Sequence, residues 1–369
     1  MLFRSWHPNG KLFMADWIGG YPLDGIGAVW SIDTRTNDQH PLRAETQRLL
    51  AAGFAQTAKE ALVQLLGHAD QRVRQGAQLE LAKRGQADAF LKVALDGQAA
   101  LLARIHALWG YGQLLRRNAA TVEPVLPLLS QANDEIRRQT VKIIGDAATA
   151  GAKSAGKRLI PLLEDASPRV RAIAGIALGK FQERTAVEPL FAFAARDAAG
   201  SAVLRHAAVT GLTGCATPAE LAARRTDPSV SVRLAAVVAL RRLRAAEVAS
   251  FLADSDPLVV QEAALAIHDE RGVPAALPAL AAALDRLPAN EFVARRAINA
   301  GFLQLELGVV AMNAAIAWLL ASRKKKVTPK VAGKRDWQAI VLVVTAVNLA
   351  LCLLFPPMQR TSKIGRAHV

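Results

Sequence analysis

At 369 residues the chain is long enough for two or three domains, and at 52% apolar but only 5% aromatic it carries small side chains suited to closely packed helices. The net charge of +15 is unevenly spread: residues 322–369 hold ten Lys and Arg and one acid, Asp336, whereas residues 1–321 hold 36 basic and 30 acidic residues and carry no nucleic-acid-binding signature. Cys215 and Cys352 stand far apart, outside any CxxC or CxxCH arrangement, which excludes a zinc knuckle and a covalent c-type haem site.

The chain opens with turn chemistry, Trp6-His7-Pro8-Asn9-Gly10, where a secretory leader would place an apolar run. Residues 11–17 predict a strand after the Asn9-Gly10 turn, Gly19-Gly20 breaks it, and residues 26–32 predict a second strand ending at Asp33. Two strands alone are marginal in water. Residues 1–36 are therefore expected to be the remnant of a larger sheet. Residues 37–45 are polar and read as a linker.

From 46 to 302 a phrase recurs: Val73-Arg74…Ala77, Ile136-Arg137…Thr140, Val170-Arg171…Ala174, Leu204-Arg205…Ala208 and Val232-Arg233…Ala236, with weaker copies at Arg104…Ala107 and Gln261…Ala264. Successive marked positions lie 30, 33, 34, 34, 28 and 28 residues apart. A period of this length predicts stacked helix pairs, about eight of them, rather than one globular core. In a typical unit Pro168 suits a first helical turn. Val170, Ile173, Ala174 and Ala177 form an i, i+3, i+4, i+7 stripe, and Gly179 fits a C-terminal cap. Asp227-Pro228 and Asp256-Pro257 repeat the start signal, and 261 marks the last copy of the arginine position.

Residues 303–321 and 338–355 are apolar stretches long enough to cross a bilayer. Between them the basic loop 322–337 carries seven Lys and Arg. The expectation is a transmembrane helical hairpin over 303–357, its loop cytoplasmic by the positive-inside rule and the helical array extracytoplasmic (periplasmic). Residues 358–369 form a tail. One codon choice for its last six residues spells a common sequencing-library adapter, so the tail is expected to be an artefact.

The Pro–Val-Arg–Ala wording resembles HEAT repeats over 46–302. Residues 10–17 and 27–32, followed by Leu65-Leu66-Gly67-His68, Ala103-Arg104-Ile105-His106-Ala107-Leu108-Trp109-Gly110 and Ala294-Arg295-Arg296-Ala297, resemble the PVC-type membrane-bound dehydrogenase or haem-binding family. That resemblance implies a six-bladed propeller, then HEAT repeats, then a cytochrome c domain in an extracytoplasmic redox protein. The chain departs from the pattern at both ends, having two strands in place of a propeller and apolar segments after Ala300 in place of a haem domain. It reads as a fragment or chimera.

Chemistry-bearing residues are sparse. His68, His106, His206 and His268 lie one or two repeats apart, without the i, i+4 spacing of a helical metal pair, and are expected to pack or hydrogen-bond at helix ends. Arg74, Arg137, Arg171, Arg205 and Arg233 could line a phosphate-binding face, but one per unit they are expected to bond carbonyls or acids of the neighbouring repeat. Asp16 and Asp24 are expected to be turn acids, and Asn299 and Glu306 to sit at the interfacial end of the first apolar segment. The expected fold is all-α, a HEAT-like solenoid with a β remnant before it and a membrane hairpin after it. The expected function is a non-catalytic scaffold with no catalytic, cofactor or metal residues and no haem, working on a protein partner or neighbouring domain and at the membrane, without nucleic acid. The alternatives are a stand-alone membrane-anchored adaptor and a HEAT-like enzyme of the bilin lyase or DNA glycosylase type.

Overall fold

In a computed structural model the described residues are 3–17, 27–33, 40–148, 155–269, 272–284 and 291–301, with Leu303 and Gly308. The expected membrane hairpin, its basic loop, Glu306, the tail and Asp24 lie outside them. Among the described residues no helix is long and apolar enough to cross a membrane.

The N-terminal segment is a three-stranded antiparallel sheet in the order β1 (Phe3–Trp6), β2 (Leu12–Trp17), β3 (Gly27–Ile32). Strand β1 was not expected, because Trp6-His7-Pro8-Asn9-Gly10 reads as a turn and masks the short run before it. The turn is real and joins β1 to β2: the Asn9 side chain accepts the Lys11 N–H at 3.1 Å, and Gly10 takes φ +79°. Pairing puts Trp6, Leu12 and Ile32 in one column and Met14 beside Trp30. Trp6, Trp30 and Ile32 remain exposed. Two guanidinium groups pin this sheet to the helices. Arg43 donates to Asn9 O and grips Asp33, and Arg72 donates to Trp6 O.

Helix α1 (Pro41–Ala52) takes in part of the stretch read as a linker, starting where Pro41 supplies a preset φ. Eight helix pairs follow among the described residues. Helix α2 (Lys59–Leu65) pairs with α3 (Gln71–Lys83), α4 (Ala87–Leu95) with α5 (Leu101–Arg116), and a 3-10 segment Glu123–Ser130 with α6 (Asp134–Asp146). Helix α7 (Gly156–Leu159), prolonged by Ile160–Glu164, pairs with α8 (Pro168–Phe181), α9 (Val187–Asp197) with α10 (Ala202–Cys215), and α11 (Pro218–Ala223) with α12 (Val230–Leu243). The 3-10 segment Ala246–Phe251 pairs with α13 (Pro257–His268), and α14 (Leu277–Ala282) with α15 (291–301). Pro127 and Pro161 lack the N–H an α-helix needs, which accounts for the tight first helices of two pairs.

The second helices α3, α5, α6, α8, α10, α12 and α13 pack side by side in sequence order as one layer, with the first helices forming the other. Three residues beyond each N-cap an apolar side chain points into the interior: Val73, Ile136, Val170, Leu204, Val232 and Val259, all at 7% exposure or less. Burying each such side chain stabilises the stack by about 1.5–3 kcal/mol. Two expected signals are corrected. Gly179 does not end α8, which runs on to Phe181 and is capped by Gln182 in the left-handed region. Helix α12 starts at Val230 with Ser229 as N-cap, so Pro228 precedes the helix rather than opening it.

Gly179 serves close approach instead. A Cβ there would lie 2.5 Å from the Thr210 carbonyl oxygen, and one on Gly214 would lie 2.1 Å from the Gly179 carbonyl oxygen. The backbones of α8 and α10 touch because these positions carry no side chain.

Candidate interaction surface

The recurrent arginine stands four residues after each N-cap. Arg74 donates to the carbonyls of His68 and Ala69, Arg137 to those of Gln131 and Ala132, Arg171 to those of Asp165 and Ala166, and Arg233 to those of Asp227 and Pro228, mostly at 2.7–2.8 Å. Each thus ties its helix to the loop that enters it. Three of them also reach the next repeat: Arg137 grips Asp165 through two bonds, Arg171 meets Asp197 at 3.2 Å, and Arg233 grips Asp254. The expectation that these side chains bond carbonyls and neighbouring acids therefore holds for Arg137, Arg171 and Arg233.

In four repeats the loop is also braced by the residue two places before the N-cap, whose side chain accepts the N-cap N–H. Asp165 accepts from Ser167, Asp227 from Ser229, Asp254 from Asp256 and, in the first repeat, His68 Nδ1 from Asp70, at 2.8–2.9 Å. In the α10 repeat that position is Ala199, which has no acceptor. Its arginine, Arg205, is exposed, and its side chain makes no hydrogen bond or ion pair among the described residues. The last repeat shifts the register by one: the position equivalent to the arginines is the buried Val260, not Gln261.

The four histidines occupy four separate repeats, and among the described residues no three His, Cys, Asp or Glu side chains gather as a metal site. His68 shapes a turn, and its Nε2 stands 3.8 Å from Glu45. His106 is buried in mid-helix, its Nδ1 2.8 Å from Gln78 Oε1 and its ring edge-on to Trp109, and burial together with the Arg74 charge pushes its pKa down to about 4. His206 is exposed beside Arg242, and His268 ends α13 against Asp269, which also pairs with Arg296. Asp16 lies in β2 and Asn299 is half-buried in α15. Burial raises the Cys215 thiol to about 11 while it donates to Leu178 O, so it is unreactive at neutral pH.

Across the outer surface of the second-helix layer, side chains bridge one repeat to the next. Trp109 Nε1 donates to Gln139, and Glu135 accepts from Gln139 and Arg138 and pairs with Arg169 at 2.9 Å. The Arg138 bonds, outweighing the cost of burial, hold the Glu135 carboxyl down at about 2. Asp146 sits between Lys142 at 2.5 Å and Lys180 at 2.6 Å. Arg242 crosses from α12 to α10, donating to the Thr210 hydroxyl at 2.9 Å. These surface groups were not picked out from the sequence, although the absence of any acid from α8, α10 and α12 was there to be read. Among the described residues, cavities border the solenoid. One of about 390 Å³ lies between the N-terminal turn and the first repeat, lined by Pro8, His40, Arg43 and Arg72. Another, about 240 Å³, is mainly apolar and lies among Ile160, Leu163, Pro189 and Phe193.

Residues 122–213 match the family model described as HEAT repeats. The helical stack is a HEAT-like solenoid. Among solved structures, the complex of CpcE and CpcF of phycocyanin lyase from Nostoc sp. PCC7120 is similar at 18% identity, covering 66% of this chain and 94% of that chain with a TM-score of 0.34. YibA of Escherichia coli is similar at 18% identity, covering 72% of this chain and 89% of that chain with a TM-score of 0.37. No curated protein matches the sequence. The HEAT-like solenoid carries a small three-stranded sheet at its N-terminal end.

Proposed function

We propose that this chain is a non-catalytic scaffold that docks a protein partner on the layer of second helices. The observation that carries this reading is the continuity of that layer: every repeat from α3 to α13 adds one helix to the same face, so an extended partner can be read by several repeats at once. The finer reading keeps the array extracytoplasmic, tied to the membrane by 303–357 with the loop 322–337 cytoplasmic, as one part of a membrane-associated dehydrogenase and electron-transfer protein. It is supported by the seven cations between two apolar stretches and by the resemblance of residues 10–17 and 27–32 to propeller strands.

Docking is tested with a photo-crosslinking residue at Val203, exposed on α10, against one at Ala192, exposed on α9 in the other layer. A discrete partner adduct from position 203 and none from 192 is expected. An adduct from 192 alone overturns the choice of face, and none from either position removes the scaffold reading. The membrane reading is tested separately by fractionation. The full chain should sediment with membranes and need detergent for release, and recovery in the soluble fraction removes the hairpin.

A further inference from the structure

The two layers of the central repeats differ in charge. Helices α6, α8, α10 and α12 hold ten Lys and Arg against three acids, all three in α6. The first-layer elements of the same repeats, from Glu123–Ser130 to Arg224–Thr226, hold six against five. Three of the ten, Arg137, Arg171 and Arg233, are spent on Asp165, Asp197 and Asp254 of the next repeat and lie largely buried. The other seven stand at the surface with fewer carboxylates than cations, Arg241 pairing with Glu262 of α13 at 3.9 Å. Glu135 is shared by Arg138 and Arg169, and Asp146 by Lys142 and Lys180, two cations to one acid in each case. At the α10–α12 step no acid takes part among the described residues: Arg242 meets the Thr210 hydroxyl and, at 3.4 Å, Nδ1 of His206. Arg205 is exposed nearby on α10.

The positive excess therefore runs as successive clusters across α6, α8, α10 and α12, each short of one negative group. We propose that this face binds an extended acidic segment of a partner protein, whose carboxylates complete the clusters at Glu135, Asp146 and Arg242. The proposal rests on the docking reading above and adds the partner's chemistry to it. A carboxylate between paired cations forms charge-assisted hydrogen bonds, bidentate where arginine supplies the donors. Complementary charge also steers encounter and fixes register. Single-stranded nucleic acid fits less well. It needs aromatic platforms as well as cations, and on these four helices the one aromatic side chain is the half-buried Phe181.

The test uses the full chain in non-ionic detergent and fluorescence anisotropy with a labelled Glu/Ser 20-residue peptide. Comparison probes are a Gln/Ser peptide, a single-stranded DNA 20-mer and mixed micelles of the detergent with anionic phospholipid. Salt-sensitive binding of the Glu/Ser peptide is expected, with none of the Gln/Ser peptide. The variant Arg169→Gln/Lys180→Gln/Arg242→Gln should bind roughly tenfold more weakly, and Lys157→Gln/Arg158→Gln/Arg225→Gln on the other layer should bind as the parent does. Helical circular dichroism and melting temperature of both variants verify that they are folded. No binding of the acidic peptide, or equal weakening by both variants, overturns the proposal. Tighter binding of DNA or of the anionic micelles through the same three residues overturns it in favour of that occupant. If the acidic peptide fails while the adduct at position 203 persists, the docking reading stands and the acidic partner falls. If both fail, both readings fall.

Discussion

The α12–α13 joint and the α10–α12 joint solve the same packing problem with different groups. At the first, Arg233 reaches from α12 to Asp254, whose carboxylate is almost fully buried, and the same carboxylate accepts the Asp256 N–H that starts α13. At the second, the corresponding acid, Asp227, shapes its own turn but receives no guanidinium from Arg205, and its carboxylate pairs with Arg224 at 4.0 Å. One loop earlier Ala199 offers no acceptor to the N–H of Ser201, and Arg205 makes none of the side-chain bonds of its counterparts among the described residues. That joint lacks a guanidinium–carboxylate pair, and a cation is left at the surface.

The largest effect expected from this comparison is at Asp254. Asp254→Ala strands the buried Arg233 and should cost about 3 kcal/mol or more, whereas Asp227→Ala loses a turn bond worth about 1 kcal/mol. Denaturant unfolding measures both, and equal losses would break the comparison. The α3–α5 joint offers a third solution, a buried neutral histidine. His106 has a depressed pKa, so between pH 6.5 and about 4 the unfolded chain binds the proton that the folded chain does not. Stability should fall as pH drops through that window, by about 3 kcal/mol at its lower end. His106→Gln should remove that slope and leave the carboxylate-driven loss at lower pH. An unaltered slope would show that His106 is charged in the fold.

A smaller effect separates backbone contact from side-chain bridging. Gly214→Ala places a Cβ against the Gly179 carbonyl and should cost about 2 kcal/mol, whereas Gly97→Ala, which meets open space, should stay within about 0.5 kcal/mol. Equal melting temperatures would mean that α8 and α10 separate without cost. The smallest effect concerns Cys215 at that same contact. In a Cys352→Ser background a thiol reagent should leave the folded chain unlabelled at pH 7 and label it on unfolding. Prompt labelling of the native chain would show that the α8–α10 contact opens.

The helix pairs were legible because their signal is local and repeated. The apolar residue three places beyond the N-cap, the prolines at 168 and 257 and the spacing of about thirty residues follow from helix geometry alone, and they predicted a stack of about eight pairs. The arginine partners were legible in kind, since a side chain repeated once per unit faces the same neighbour each time. What escaped was whatever depends on a single position read against its surroundings. Gly179 carries the same residue as a helix cap, and only the approach of α10 shows that it is a contact. Strand β1 is too short to show a period, and it is defined by the β2 ladder it pairs with. The surplus of cations on one layer was written in the composition of α8, α10 and α12. Which of them were spent on buried aspartates and which were left at the surface was decided by the tertiary structure, because that depends on whether each loop turns its carbonyls and carboxylate toward the helix behind it.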